Sequence, residues 1–128
     1  MIKTKRWNDP VSPGDGLRVL VTRYRPRGVR KGEEPWDEWR YWLGPSRELH
    51  ADYFGKRGRT IAWDEYRDRY EQEMQAERPR AAIAELAARH ARGETVTLLC
   101  FCADETRCHR SLLARLVAAA AGVVRARP

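Results

Sequence analysis

The chain has 128 residues, 42% hydrophobic and 34% charged, a balance that excludes a disordered chain and suits a single domain spanning residues 1–128. No apolar run approaches the roughly 20 residues of a membrane span, and Met1-Ile2-Lys3-Thr4-Lys5-Arg6 lacks the apolar core of a signal peptide, so a cytoplasmic protein with no membrane partner is expected. The formal charge is +7, and all of it lies in residues 1–32, where nine Lys/Arg face two Asp; residues 33–128 carry sixteen of each sign. Such asymmetry marks a local anion-attracting surface.

Ile2 to Trp7 reads as a short strand at a sheet edge, and Pro10 to Gly16 as a loop dense in turn formers. Leu17 to Tyr24, rich in β-branched and aromatic residues, reads as a strand that Pro26 ends. Residues 25–35 read as a loop. Trp36, Trp39, Tyr41 and Trp42 then form an aromatic cluster suited to packing, with Trp39 the residue most apt to line a pocket. Pro45 and Ser46 open a short helix that Gly55 closes. Trp63, Tyr66, Tyr70 and Met74 recur at helical spacing behind Asp64 and Glu65, which favour a helix N-terminus. Pro79 begins another helix with Ile83, Leu86, Ala87 and His90 on one face. Thr95 to Phe101 is the second clear strand. Asp104 or Thr106 caps a last helix from about Arg107 to Ala121. Strands separated by helical crossovers predict a small three-layer-like α/β fold, a short parallel or mixed sheet flanked by helices. In such sheets, ligand sites collect beyond the carboxyl ends of the strands.

Two segments follow such ends. The first is Cys100-Phe101-Cys102-Ala103-Asp104-Glu105-Thr106-Arg107-Cys108-His109-Arg110. Alternation places Cys100 and Cys102 on one face of the strand. Cys108, His109 and Arg110 fall in the first turn of the last helix, whose free N–H groups favour an anion or a thiolate. Three readings fit. The junction holds a phosphate or carboxylate on Arg110 and backbone amides. Alternatively Cys108, or less strongly Cys102, is a nucleophile with His109 as its base. Or Cys100, Cys102, Cys108 and His109 ligate zinc or iron, a reading not favoured because structural zinc sites usually draw on two separated ligand pairs. Against all three stands burial of the thiols as small hydrophobes and of His109 on a stripe with Leu112, Leu113 and Leu116. The spacing also misses the phosphatase-type loop, since Arg107 is five positions after Cys102 and Arg110 eight.

The second segment is Arg23-Tyr24-Arg25-Pro26-Arg27-Gly28-Val29-Arg30-Lys31. No acidic residue lies between Asp15 and Glu33 to neutralise it locally, so Arg23 and Arg27 are candidates to clamp an anion, or to meet nucleic-acid phosphates. Ser46 is a further candidate ligand contact. His50 and His90 read as surface or helix-face residues.

Together, Asp15-Gly16, the run from Leu20 through Val29, Asp37-Glu38-Trp39, Pro45 through Leu49, the Trp63…Tyr66…Tyr70 helix and the Leu98-to-Arg110 segment resemble the bacterial family known as domain of unknown function 488, the YeaO-like proteins. The family usually has Trp before the loop proline, where this chain has Arg25. The resemblance implies a small α/β fold and brings no reaction and no cofactor. Some members carry transcription-regulator labels, yet this sequence shows no helix-turn-helix. The expectation is a cationic Arg/Cys/His pocket for a small anionic, phosphate-bearing ligand, with transfer or hydrolysis as the chemistry if it is an enzyme. A nucleic-acid-binding module and a thiol or metal redox protein are the alternatives.

Overall fold

The computed structural model describes residues 1–126, with side chains as far as residue 122. Four strands, β1 (Ile2–Arg6), β2 (Leu17–Leu20), β3 (Glu38–Trp39) and β4 (Val96–Cys100), form one sheet in the order β1-β4-β2-β3, with every pairing parallel. β4 lies between β1 and β2 and is buried along its whole length, which is why Val-Thr-Leu-Leu-Cys shows no polar alternation. β1 is an edge strand. Its two lysines share a face and both reach Asp15, at 2.8 and 2.9 Å.

Asp15 closes a one-turn 3-10 helix (Pro13–Asp15) just before β2 and is 1% exposed. It accepts from Lys3, Lys5, Arg18 and the Ser12 amide, while Thr97 Oγ1 donates to its carbonyl oxygen at 2.7 Å. The next residue, Gly16, has φ +62°, and a Cβ there would stand 2.1 Å from the Thr95 carbonyl oxygen. Only glycine allows β2 to enter the sheet so close to β4.

The helices are α1 (Arg47–Tyr53), α2 (Trp63–Glu73), α3 (Glu77–Ala91) and α4 (His109–Ala126). They cover one face. There Val19, Val21, Val96 and Leu98 meet Tyr70, Leu86, Leu112 and Leu113, all buried, at roughly 1.5–3 kcal/mol for each large aliphatic side chain removed from water. On the other face Leu20 and Leu99 lie under Trp36, with Trp7, Val29 and Trp39 around it. Among the described residues the third layer is therefore an aromatic loop, not a helix. No described helix is long and apolar enough to cross a membrane.

The elements depart from the sequence expectation at four places. β2 ends at Leu20, not Tyr24. Val21 N still bonds the Leu99 carbonyl at 3.0 Å, but the partner strand then ends, and Thr22 Oγ1 donates to the Tyr24 carbonyl at 2.6 Å to turn the chain. β3 carries no periodicity of its own, because two residues suffice to pair with Val19 and Leu20. α3 starts at Glu77, ahead of Pro79, which sits in the first turn where an amide hydrogen would have no helical partner. α4 starts at His109, and Asp104 instead caps a one-turn 3-10 helix, Glu105–Arg107, through the Thr106 amide at 3.0 Å.

A candidate thiol–imidazole cleft

The chain leaves β2 toward β3 on one side and leaves β4 into α4 on the other, so a crevice opens between the carboxyl ends of these neighbouring strands. A small cleft of about 50 Å³ occupies this place. Thr22 to Tyr24 form one wall and Cys100 to Cys102 with Arg107 to His109 the other. His50, Tyr53, Phe54 and Tyr66 close it from α1 and α2.

The floor is a sulfur cluster. The Sγ atoms of Cys100, Cys102 and Cys108 all lie within 4.8 Å of one another. Cys100 Sγ–H donates to Cys102 Sγ at 3.9 Å, and His109 Nδ1 stands 3.8 Å from Cys100 Sγ. His109 Nε2 is 2.7 Å from the Val21 carbonyl oxygen, which only accepts, so Nε2 carries a proton and Nδ1 is the ring nitrogen turned to the sulfurs. Cys100 and Cys108 are 2% and 1% exposed, whereas Cys102 is half-buried and is the sulfur open to the cleft. The S–H groups of Cys100 and Cys108 hold the Cys102 thiol far below its ordinary range, aided by the His109 and Arg110 charges against the burial that opposes them. Its partner Cys100 is pushed up to about 12 by donating to it. Cys108 is pushed up likewise by its sulfur neighbours and burial. Burial alone would lower His109, but its hydrogen bond and charge interaction with Cys108 outweigh that and raise it. The hydrogen-bonded cluster thus favours the thiolate form at Cys102, the sulfur open to the cleft.

Arg110 is 3% exposed. Its Nη1 donates to the Cys102 carbonyl at 2.6 Å, and among the described residues its Nε has no hydrogen-bond partner. It stands behind the cleft wall, where its charge faces the sulfurs and not solvent. Arg23 lies in the wall, held by Nε to the Pro45 carbonyl at 2.8 Å and by the Tyr41 ring. Arg107 lines the same cleft and is exposed. Among the described residues none of Arg23, Arg107 and Arg110 has a carboxylate at ion-pair distance. The Arg23 position depends on Gly44, where a Cβ would stand 2.5 Å from Arg23 N.

The structure brings Arg23, Cys100, Cys102, Cys108 and His109 together and places the other sequence candidates elsewhere. Arg27 is exposed in an adjoining groove with Tyr24, Arg25, Lys56 and Phe101. Arg25, where the resembling family has Trp, lies against the Trp36 ring. Trp39 donates its Nε1–H to the Thr22 carbonyl at 2.8 Å and packs on the opposite sheet face. Ser46 caps α1 through the Leu49 amide at 3.1 Å and is clamped to Glu73 of α2. Arg107, His50, Tyr53 and Phe54 were not legible as cleft residues. The signal for the last three is helical: at i, i+3 and i+4 they share one face of α1. Burial, with the Lys56 charge next, lowers the His50 imidazole below its ordinary value.

A family model described as the active DUF488-N3 subclade matches residues 2–121. The uncharacterised protein YeaO of Escherichia coli is 32% identical over 114 residues, covering 88% of this chain and 93% of YeaO. Uncharacterised proteins of Mycobacterium tuberculosis and Mycobacterium bovis are each 33% identical over 116 residues, covering 91% of this chain and 92% of theirs. No solved structure matches.

Proposed function

The chain belongs to the DUF488 family, and we propose that it is an enzyme that transfers or hydrolyses a group on a small anionic, phosphate-bearing substrate bound in the cleft, with Cys102 as the nucleophile. The observation that carries this reading is the coincidence of an accessible sulfur, backed by two buried thiols and an imidazole, with arginines that have no carboxylate. A buried guanidinium without a counter-ion is costly unless an anion faces it, and the Cys102 sulfur is the anion beside Arg110. The matched subclade's description as active supports a working site.

Cys102 Sγ forms the bond to the electrophilic centre and the bond to the leaving group breaks. His109 supplies the leaving group's proton by way of the neighbouring thiols. A water then releases the group for hydrolysis, or a second acceptor takes it for transfer. Arg23 and Arg107 hold the substrate anion as planar, permanently charged donors, and Tyr53, Phe54 and Tyr66 exclude water around it. Sequence reading favours Cys108 as the nucleophile; at 1% exposure it supports Cys102 instead of meeting substrate.

Protection against alkylation tests the reading. Iodoacetamide modifies Cys102 ahead of Cys100 and Cys108, and inorganic phosphate slows that reaction in the wild-type chain but not in the Arg23→Gln/Arg107→Gln double variant. Phosphate protection that survives the double variant, or alkylation that is equal at all three thiols in the folded protein, contradicts it.

A further inference from the structure

We propose that Cys100, Cys102, Cys108 and His109 also form a zinc site, and that zinc bound there shuts off the nucleophile. In a tetrahedral site with Zn–S bonds of about 2.3 Å, sulfurs stand about 3.8 Å apart. Cys100 and Cys102 are already 3.9 Å apart, and the full set of sulfurs spans 4.8 Å, within reach of small side-chain rotations. A nitrogen beside Cys100 offers the fourth ligand. Histidines that bind metal through one ring nitrogen usually donate the other N–H to a backbone carbonyl or carboxylate, and His109 Nε2 does so to Val21 at 2.7 Å. That leaves Nδ1 facing the sulfurs, 3.8 Å from Cys100 Sγ.

Three thiolates and one neutral imidazole around Zn²⁺ carry one net negative charge. That charge faces Arg110, whose guanidinium is 3% exposed, points its Nη1 at the Cys102 carbonyl, and has no carboxylate partner among the described residues, so zinc preserves the counter-charge that the Cys102 sulfur supplies in the metal-free protein. The soft donor set selects a thiophilic ion over Mg²⁺ or Ca²⁺. Sequence spacing argues against the site because all four ligands come from one stretch of ten residues. The fold removes that objection: the end of β4 supplies two sulfurs, and the 3-10 turn at Glu105–Arg107 carries the chain back to deliver Cys108 and His109. Cys102, the sulfur open to the cleft, is the entry point, so occupancy consumes the sulfur that substrate would meet.

The metal site stands on geometry alone, and its inhibitory consequence rests on Cys102 being the nucleophile. Reduced, chelator-treated protein is titrated with Co²⁺ and then Zn²⁺, with far-UV circular dichroism as the folding control. The expected result is a thiolate-to-Co²⁺ charge-transfer band and tetrahedral d–d bands saturating at one Co²⁺ per chain, displaced by one equivalent of Zn²⁺. Cys102→Ser, at a half-buried position with little folding risk, loses most of the charge-transfer intensity. His109→Gln keeps that band and shifts the d–d bands. One equivalent of Zn²⁺ slows iodoacetamide at Cys102 by at least tenfold. Absent bands, or bands unchanged in Cys102→Ser, overturn the zinc site and leave the enzymatic reading standing. Bands that form while Cys102 stays equally reactive overturn the shut-off. Slow, unselective alkylation of the metal-free protein overturns the nucleophile and leaves the metal site standing.

Discussion

At the amino ends of β2 and β4, three cations close on one buried carboxylate; at their carboxyl ends, three arginines stand with none. Lys3, Lys5 and Arg18 all reach Asp15, whereas Arg23, Arg107 and Arg110 surround the sulfur cleft unpaired among the described residues. Three basic residues of the N-terminal quarter are thus consumed in joining β1 to β2, while Arg23 of that quarter and Arg107, far along the chain, line the cleft. The two ends differ in what removal of a charge does, and that difference is testable.

The largest effect is expected at the paired end. Asp15→Asn leaves three cations around a buried neutral amide and lowers stability by about 3–5 kcal/mol, read as the urea midpoint, while Cys102 reactivity in the folded fraction is unchanged. Acid sharpens this contrast. Burial alone would raise the Asp15 carboxyl, but the bonds from Lys3, Lys5, the Ser12 amide and Arg18 outweigh it and hold the group below its usual 3.8. A depressed carboxyl contributes stability that is fully present above the unfolded-state value and is lost as pH falls through the folded-state value. The wild-type chain should therefore lose stability below about pH 4, and Asp15→Asn, weaker throughout, should lose less over that interval.

A smaller effect is expected from Gly44→Ala. The added Cβ meets the Thr22–Arg23 backbone at 2.5–2.9 Å, so the wall must move, at about 1–3 kcal/mol. Phosphate protection of Cys102 should weaken with it, because Arg23 is displaced. Protection retained in full would mean that Arg23 is not a ligand contact. The smallest stability effect belongs to Arg23→Gln and Arg107→Gln, within about 0.5 kcal/mol each on thermal unfolding, although these two changes remove the ligand response.

Of the paired end, the strands were legible in the sequence, whereas the pairing of Lys3, Lys5 and Arg18 with Asp15 was not, the N-terminal charge reading there as an anion-attracting surface. Lys3 and Lys5 alternate as an edge strand does, Asp15-Gly16 precedes a clear strand, and both long strands carry the apolar runs of a parallel sheet. β3 was not legible, because two residues borrow their geometry from β2. At the other end, the Cys/His/Arg segment and Arg23 could be named from position alone. Their ranking could not. Exposure decides between Cys102 and Cys108, and exposure follows from how Thr22, Pro45 and Tyr53 enclose the floor, a matter of tertiary packing. For the same reason Arg110 reads as a ligand contact in the sequence and lies behind the wall in the fold, and Arg107 reads as the start of the last helix and lies in the wall. Ser46, a helix opener in sequence, is occupied by its cap and by Glu73.

The central claim is that unpaired arginines and an accessible sulfur share one cleft, and the ratio of two alkylation rates tests it most directly. Iodoacetate and iodoacetamide differ in charge at nearly equal size. With Cys102 under attack, the anionic reagent should gain roughly three- to tenfold over its ratio with a free model thiol, and the gain should vanish in the Arg23→Gln/Arg107→Gln double variant. A ratio equal to that of the free thiol, or one indifferent to the double variant, would contradict the account.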